Sequence, residues 1–388
     1  MLKNKIKAFS DQELRGLRRQ VLRWYRQVRR DLPWRRSRDP YAIWVSEVML
    51  QQTRVETVKR YYDAFLERFP TVEALAAAEL DEVLTRWSGL GYYARARSLH
   101  RAARLLVEEH GGALPADPAA LARLPGFGPY TVAAVGSIAF GLDLAAVDGN
   151  IARVFTRWIA REGDPREPKA MSAFRELGAS LLPRGEAGDW NQALMELGAT
   201  LCSPGAPACL GCPAASVCRA RIAGRQGELP PRRKAKERPS LQLAAALIRR
   251  EEEILLARRP DEGLFASLWE LPGIEVPGEG GEREVLRQWL RETMGGGAVG
   301  ARPAAVVEQT LTHRELRLTV YEVTLPRGAK LRVAEPYVDA RFADPRKEPP
   351  GGLSSVTRKA LNAADSAVRA TAAAAGAPHS PAGGRRFG

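Results

Sequence analysis

The sequence predicts a multidomain chain: an all-α domain over residues 1–225, a linker over 226–240, and an α+β domain over 241–345. Three observations carry this. Residues 11–225 place apolar side chains three and four residues apart, the period of amphipathic helices. The stretch GELPPRRKAKERPS, residues 227–240, is basic and proline-rich, which is linker composition. Beyond it the texture changes to apolar or alternating runs of strand length, LQLAAALIRR, EEILLARR, RPAAVVEQTLTH and RELRLTVYEVTL.

Composition narrows the functional classes. A chain of 388 residues with 45% hydrophobic content has material for two or three cores. No apolar run reaches the length of a membrane span. The start, MLKNKIKAFSDQELRG, lacks the apolar core of a signal peptide, so a cytoplasmic location is expected. A net charge of +14 favours a polyanionic partner, although an arginine- and alanine-rich chain can also drift basic without one.

Helical periodicity is clearest over 57–69, 78–87, 94–109, 117–124 and 130–140, separated by Phe69-Pro70, Gly111-Gly112, Pro125-Gly126 and Gly141. The first chemical group is Glu47, in Tyr41-AIWVSEVMLQQT-Arg54. On a helix its face neighbours are Ile43, Trp44, Leu50 and Gln51. Burial on that surface would raise the carboxyl pKa and suit a general acid. The alternative is a glutamate satisfied by an arginine such as Arg54. Gln51-Gln52-Thr53 ends this helix with groups able to enter a base stack. Trp87-Ser-Gly-Leu-Gly-Tyr-Tyr93 combines glycines with aromatics that can wedge or stack on bases, although core packing is the commoner fate of aromatics.

Leu124-Pro-Gly-Phe-Gly-Pro-Tyr-Thr131 lies between two helical patterns. Gly126 and Gly128 allow a tight turn with positive φ, and the next helix would start with free N–H groups able to hold a phosphate. An ordinary helix–helix turn reads similarly. Ala146-Val-Asp-Gly-Asn-Ile151 follows. Asp148 and Asn150 are both good N-cap types, and one cap does not account for both.

The four cysteines, Cys202, Cys209, Cys212 and Cys218, have the spacing C-x6-C-x2-C-x5-C. Disulfides persist poorly in the cytosol. Only one C-x2-C pair is present, which is short of a usual zinc ribbon. Spacing alone leaves zinc and a four-thiolate iron–sulfur cluster open. In the second domain one helical stretch, 283–294, interrupts the strands. From about residue 364 large apolar groups are too few to offset ordering entropy, so residues 346–388 are expected to be mostly disordered.

LPWR at 32–35, SEVMLQQT at 46–53, GLGYYARAR at 89–97, LPGFGPYT at 124–131, VDGN at 147–150 and the cysteine loop occur together. In this order they resemble the helix-hairpin-helix, iron–sulfur DNA glycosylases, and among these the adenine glycosylases of the MutY type, over roughly residues 20–345. The resemblance implies a [4Fe–4S] cluster on the four cysteines. It implies that Glu47 protonates adenine, that Asp148 stabilises or captures the sugar cation, and that Asn150 orients them. Tyr130 stands where bifunctional relatives carry a Schiff-base lysine, so strong lyase activity is not expected. Gln52 and Tyr92 would insert near the lesion, Thr53 would bind DNA beside them, and Gly126, Gly128 and Thr131 would hold the DNA backbone. Arg219 and Arg221 would contact phosphates.

The resemblance further implies a Nudix-like C-terminal domain, most clearly matched by Leu264-Phe-Ala-Ser-Leu-Trp-Glu-Leu-Pro-Gly273. Gln288 and Arg291 replace expected acidic groups there, which argues against magnesium-dependent hydrolysis. Leu311-Thr312-His313 stands in place of a Phe-Ser-His lesion-reading loop, keeping the hydroxyl and imidazole and losing the phenyl group. The implied partner is double-stranded DNA with adenine opposite 8-oxoguanine or guanine, bound by a monomer with no membrane association. A pyrimidine-specific glycosylase or lyase, and a non-catalytic damage-binding protein, are the alternatives.

Overall fold

Ser10 opens the first helix with a reciprocal cap: its hydroxyl accepts from the Glu13 amide at 3.3 Å, and Glu13 Oε2 accepts from the Ser10 amide at 2.8 Å. The computed structural model describes residues 9–231, 237–278, 280–326, 335–347 and 349–375, and these form two units. The first unit takes residues up to Ala78 and from Ala94 to Ala235, and the second takes Glu79–Tyr93 with the C-terminal part from Lys236.

The helices of the first unit are α1 (Asp11–Val28), α2 (Pro40–Leu50), α3 (Val55–Val58), α4 (Tyr62–Arg68) and α5 (Val72–Ala77). After α6 (Leu80–Arg86), which belongs to the second unit, come α7 (Ala94–His110), α8 (Pro118–Leu121), α9 (Pro129–Phe140), α10 (Gly149–Trp158), α11 (Pro168–Leu181), α12 (Ala187–Thr200) and α13 (Arg219–Ile222). The helix expected over 57–69 is two helices, because residues 59–61 turn between α3 and α4. Leu17, Val21 and Tyr25 of α1 join Phe155, Trp158, Phe174, Trp190 and Leu194 in one core. Trp158 meets Trp190 and Phe155 ring against ring, at 6.5 and 5.7 Å between centroids. Helix α2 is buried from Tyr41 through Met49, which explains why its sequence is apolar on every face.

The second unit is built on β1 (Ser240–Leu247), whose unbroken apolar run is covered on both sides. The remaining strands are β2 (Arg249–Arg250), β3 (Glu253–Arg258), β4 (Trp269–Glu270), β5 (Gly273–Glu275), β6 (Ala298–Val299), β7 (Ala305–Thr310), β8 (Glu315–Thr324) and β9 (Asp339–Ala343). Strand β1 runs parallel to β8 from Ser240↔Glu315 to Leu247↔Glu322 and antiparallel to β5. Strands β7 and β8 form a hairpin closing at Thr310↔Glu315. Strand β3 carries β2, β4 and β9.

Helix α14 (Glu282–Met294) lays Leu286, Trp289 and Leu290 with Ala244, Ala246 and Tyr321. Helix α15 (Ser355–Ala375) lays Val356, Ala360 and Ala364 with Leu241, Leu243 and Leu318. This corrects the expectation of a mostly disordered segment from 346. Small side chains suffice where a helix lies close on a sheet, so the missing large apolar residues did not preclude packing. Residues 376–388, and 232–236 of the expected linker, lie outside the described residues.

Candidate active site

The buried position of α2 decides the state of Glu47. The residue is 6% exposed, and its Oε2 accepts the Tyr130 hydroxyl at 2.9 Å. Arg54, the alternative partner, is exposed, so a residue 83 positions away takes that role. Burial pushes the Glu47 carboxyl up to about 7. The Tyr130 hydrogen bond pulls it back, nearby Asp148 raises it by repulsion, and the Arg35 guanidinium lowers it. Arg35 is itself committed to Glu196 at 2.8 Å. Tyr130 is raised well above its ordinary value by burial and by both carboxyls, so its hydroxyl stays a donor. Its second neighbour is Met195 Sδ at 3.7 Å.

Asp148 caps α10. One carboxylate oxygen accepts the Ile151 amide at 2.7 Å and the other accepts Asn150 Nδ2 at 3.1 Å. A carboxylate at a helix N-terminus is favoured by the aligned peptide dipoles. Asn150 Oδ1 in turn accepts Arg153, which also donates to the carbonyls of Gly198 and Cys202. Asp148 is thus the cap, and Asn150 is hydrogen-bonded to it.

Two further residues, Arg95 within the GLGYYARAR motif and Asn191, brace backbone near Glu47 and Asp148. Arg95 donates to the carbonyls of Val48, Met49 and Gln51 at 2.6–2.8 Å, closing the C-terminal end of the Glu47 helix. Buried Asn191 bonds Ser137 Oγ, the Leu144 carbonyl and the Ala146 amide, fixing the strand-like lead into Asp148. Each works through carbonyls or amides far away in sequence, which a linear pattern does not reveal.

The hairpin α8–α9 turns at Gly126, with φ of +83°. A Cβ there would also press on Ser98 at 3.1 Å. Gly128 differs from expectation: its φ is −73° with extended ψ, and it stands as the N-cap of α9 with nothing within 4 Å of a built Cβ. Its value is open space over the first amides of α9, rather than a left-handed turn. The Thr131 side chain is buried, and its hydroxyl receives Gln51 Nε2 at 3.2 Å. Gln52 is exposed with φ of +57°, while Thr53 is half-buried and its hydroxyl accepts from Arg95 at 3.0 Å. Tyr92 is 48% exposed with φ of +49°. Positive φ at non-glycine residues is uncommon, and both residues adopt it. In the sheet unit, Thr312 and His313 are exposed at the β7–β8 tip while Leu311 packs on the core below.

The four cysteines are free thiols in the loop after α12, Cys202 and Cys218 buried and the others half-buried. Burial pushes the Cys212 thiol up to about 12, with a backbone hydrogen bond from Ala214 pulling back and the other three sulfurs adding to the rise. Arg157, 2% exposed, donates to Cys202 Sγ at 3.2 Å and to the Ser203 carbonyl, and its own carbonyl accepts from Cys218 at 3.4 Å. Among the described residues no three His, Cys, Asp or Glu side chains converge on a single-ion position. Arg219 pairs with Glu13 at 2.8 Å and lies over the Phe9 ring, so it is occupied within the protein; Arg221 is exposed.

Residues 45–180 match the HhH-GPD superfamily of base excision DNA repair proteins, and residues 244–363 match the NUDIX domain. The human adenine DNA glycosylase is 37% identical over 401 residues, spanning 87% of this chain and 73% of its own length. The chain belongs to the adenine DNA glycosylase family. Another adenine DNA glycosylase, from mouse, is 36% identical over 88% of this chain and 78% of its own. A solved thermostable thymine-DNA glycosylase superposes with a TM-score of 0.51 at 32% identity, covering 55% of this chain and 98% of that one. The fold is thus an adenine glycosylase's helix-hairpin-helix domain joined to a Nudix-like domain.

Proposed function

We propose that this protein is a monofunctional adenine DNA glycosylase of base excision repair, hydrolysing the N-glycosidic bond of adenine opposite 8-oxoguanine or guanine. One observation carries the reading. A buried carboxyl raised to about 7 takes a hydroxyl from Tyr130 and feels a second carboxylate, Asp148, in a chain of the adenine glycosylase family.

Adenine leaves poorly as an anion, so the acid must give it a proton. Glu47 holds one near neutral pH and would deliver it to the flipped base. Bond breaking leaves positive charge on the sugar, and Asp148 would stabilise it, as in glycoside hydrolysis with two carboxyls. Glu47, now ionised and still bonded to Tyr130, can take a proton from the attacking water. Tyr130 cannot form an imine, which favours hydrolysis without strand cleavage.

Cys202, Cys209, Cys212 and Cys218 would hold the [4Fe–4S] cluster that the family resemblance implies, each supplying one thiolate. Such a cluster would fix the loop that Arg157 holds through Cys202, Ser203 and Cys218. The DNA partner would be a duplex with an A:8-oxoguanine or A:G mispair, read opposite adenine by Thr312 and His313 and bound by a monomer in the nucleoid. The thymine-DNA glycosylase neighbour supports a second reading, pyrimidine release, which has no use for the Nudix-like domain.

Purified protein should release free adenine from an A:8-oxoguanine duplex, and Asp148→Asn should abolish that. Release of thymine or an oxidised pyrimidine in its place overturns the substrate assignment. A broad visible absorption band should accompany the protein; a colourless product with stoichiometric zinc would refute the cluster.

A further inference from the structure

Residues 79–93 fold with the C-terminal unit although their neighbours in sequence do not. The attachment is specific. The Tyr93 hydroxyl donates to the Leu353 carbonyl at 2.8 Å and lies 3.1 Å from Ser88 Oγ. Trp87 Nε1 donates to the Gly91 carbonyl at 3.1 Å, closing the loop that presents Tyr92. Gly352 lies so near α6 that a Cβ would stand 2.8 Å from Leu84 Cβ and 3.0 Å from its carbonyl oxygen. On its other side the same backbone is built into the sheet. The Trp269 amide donates to the Gly352 carbonyl at 2.9 Å, and Leu353 bridges Trp269. Two residues on, Ser355 Oγ receives Gln309 Nε2 at 3.0 Å, and Gln309 is four residues before His313 on β7. An unbroken run of bonds therefore leads from the β7–β8 tip to the Tyr92 loop.

We propose that Tyr93 is a positioning residue through which the sheet unit holds the Tyr92 loop, so that what the 311–313 tip binds is felt at Tyr92. This rests on the proposed function for its substrate, while the clamp itself is a property of the DNA-free protein. Spatial continuity is not coupling, so the experiment must measure both. Tyr93→Phe removes only the hydroxyl, and Gly352→Ala forces a methyl against Leu84. In the DNA-free full chain, both variants should raise amide hydrogen exchange over 88–93 while leaving α9 and α12 protected. In single-turnover excision, Tyr93→Phe should slow A:8-oxoguanine by about fivefold, the worth of one net hydrogen bond, and leave A:G nearly unchanged.

Unchanged exchange in a folded variant overturns the clamp whatever the enzyme acts on. Raised exchange with both mispairs slowed equally overturns the coupling. If the wild-type chain releases no adenine at all, the proposed function falls, and the exchange measurement still decides the clamp.

Discussion

Glu47 in the helical unit and Glu270 in the sheet unit make a controlled comparison. Both are nearly closed to solvent, at 6% and 5% exposure. Both accept a tyrosine hydroxyl, from Tyr130 at 2.9 Å and from Tyr337 at 3.1 Å. Burial raises both carboxyls. Their charged neighbours separate them. Glu270 holds the Arg259 guanidinium at 2.6 Å, and Tyr337 further ties it to Gly273. Among the described residues no guanidinium pairs with Glu47; Arg35 acts from a distance while bound to Glu196, and Asp148 pushes the other way. Partner identity, rather than burial, separates the two carboxyls.

The sharpest break in this comparison is chemical. Glu47→Gln should reduce single-turnover adenine release by about 10²–10⁴-fold, the usual contribution of a general acid. Glu270→Gln should leave the rate per folded molecule unchanged. It should instead cost about 3–5 kcal/mol in denaturant unfolding, because Arg259 is left buried without its counter-ion. An excision defect in Glu270→Gln with unaltered stability would collapse the distinction.

The next effect is opposite in sign. Glu47 has its folded pKa raised from 4.5 to about 7. Its stabilising contribution is therefore complete below 4.5 and is lost as pH rises through about 7. Glu47→Gln should stabilise the protein by about 3 kcal/mol well above pH 7 and change nothing at low pH. Unfolding curves at the two extremes check this, and equal shifts at both would show that the carboxyl is not perturbed.

The smallest effect concerns Tyr130. Its hydrogen bond lowers the Glu47 pKa, so Tyr130→Phe should move the alkaline limb of the excision profile upward by about one pH unit. A downward shift would mean that Tyr130 supports the protonated form.

The chemical residues were legible because each sits in a compact motif: Glu47 in an all-apolar helix, Asp148 and Asn150 two apart before a helix, and four cysteines in one loop. Their partners were not. Tyr130 rather than Arg54 meets Glu47, and Arg95 and Asn191 brace the site through backbone groups. Such choices depend on how helices cross, and no local period encodes that. The pairing of Arg219 with Glu13 was equally hidden, because Glu13 lies in its reach only after α1 and α13 pack. The Gly128 assignment mistook the need for an uncovered approach for a need for positive φ. Helix α15 was missed because alanine carries little hydrophobic signal, while Ala360 and Ala364 bury completely or nearly so.

The placement of residues 79–93 in the second unit has a temporal consequence. During synthesis α6 and the Tyr92 loop leave the ribosome long before Gly352 and Leu353 exist. Domains tend to fold as they emerge, N-terminal parts first. This segment must then wait, bounded on both sides by chain that can already pack, until the last strands and α15 arrive. The contact of Tyr93 with Leu353 is thus a late event in the life of each molecule, and a chain cut short before residue 353 would leave the Tyr92 loop without its anchor.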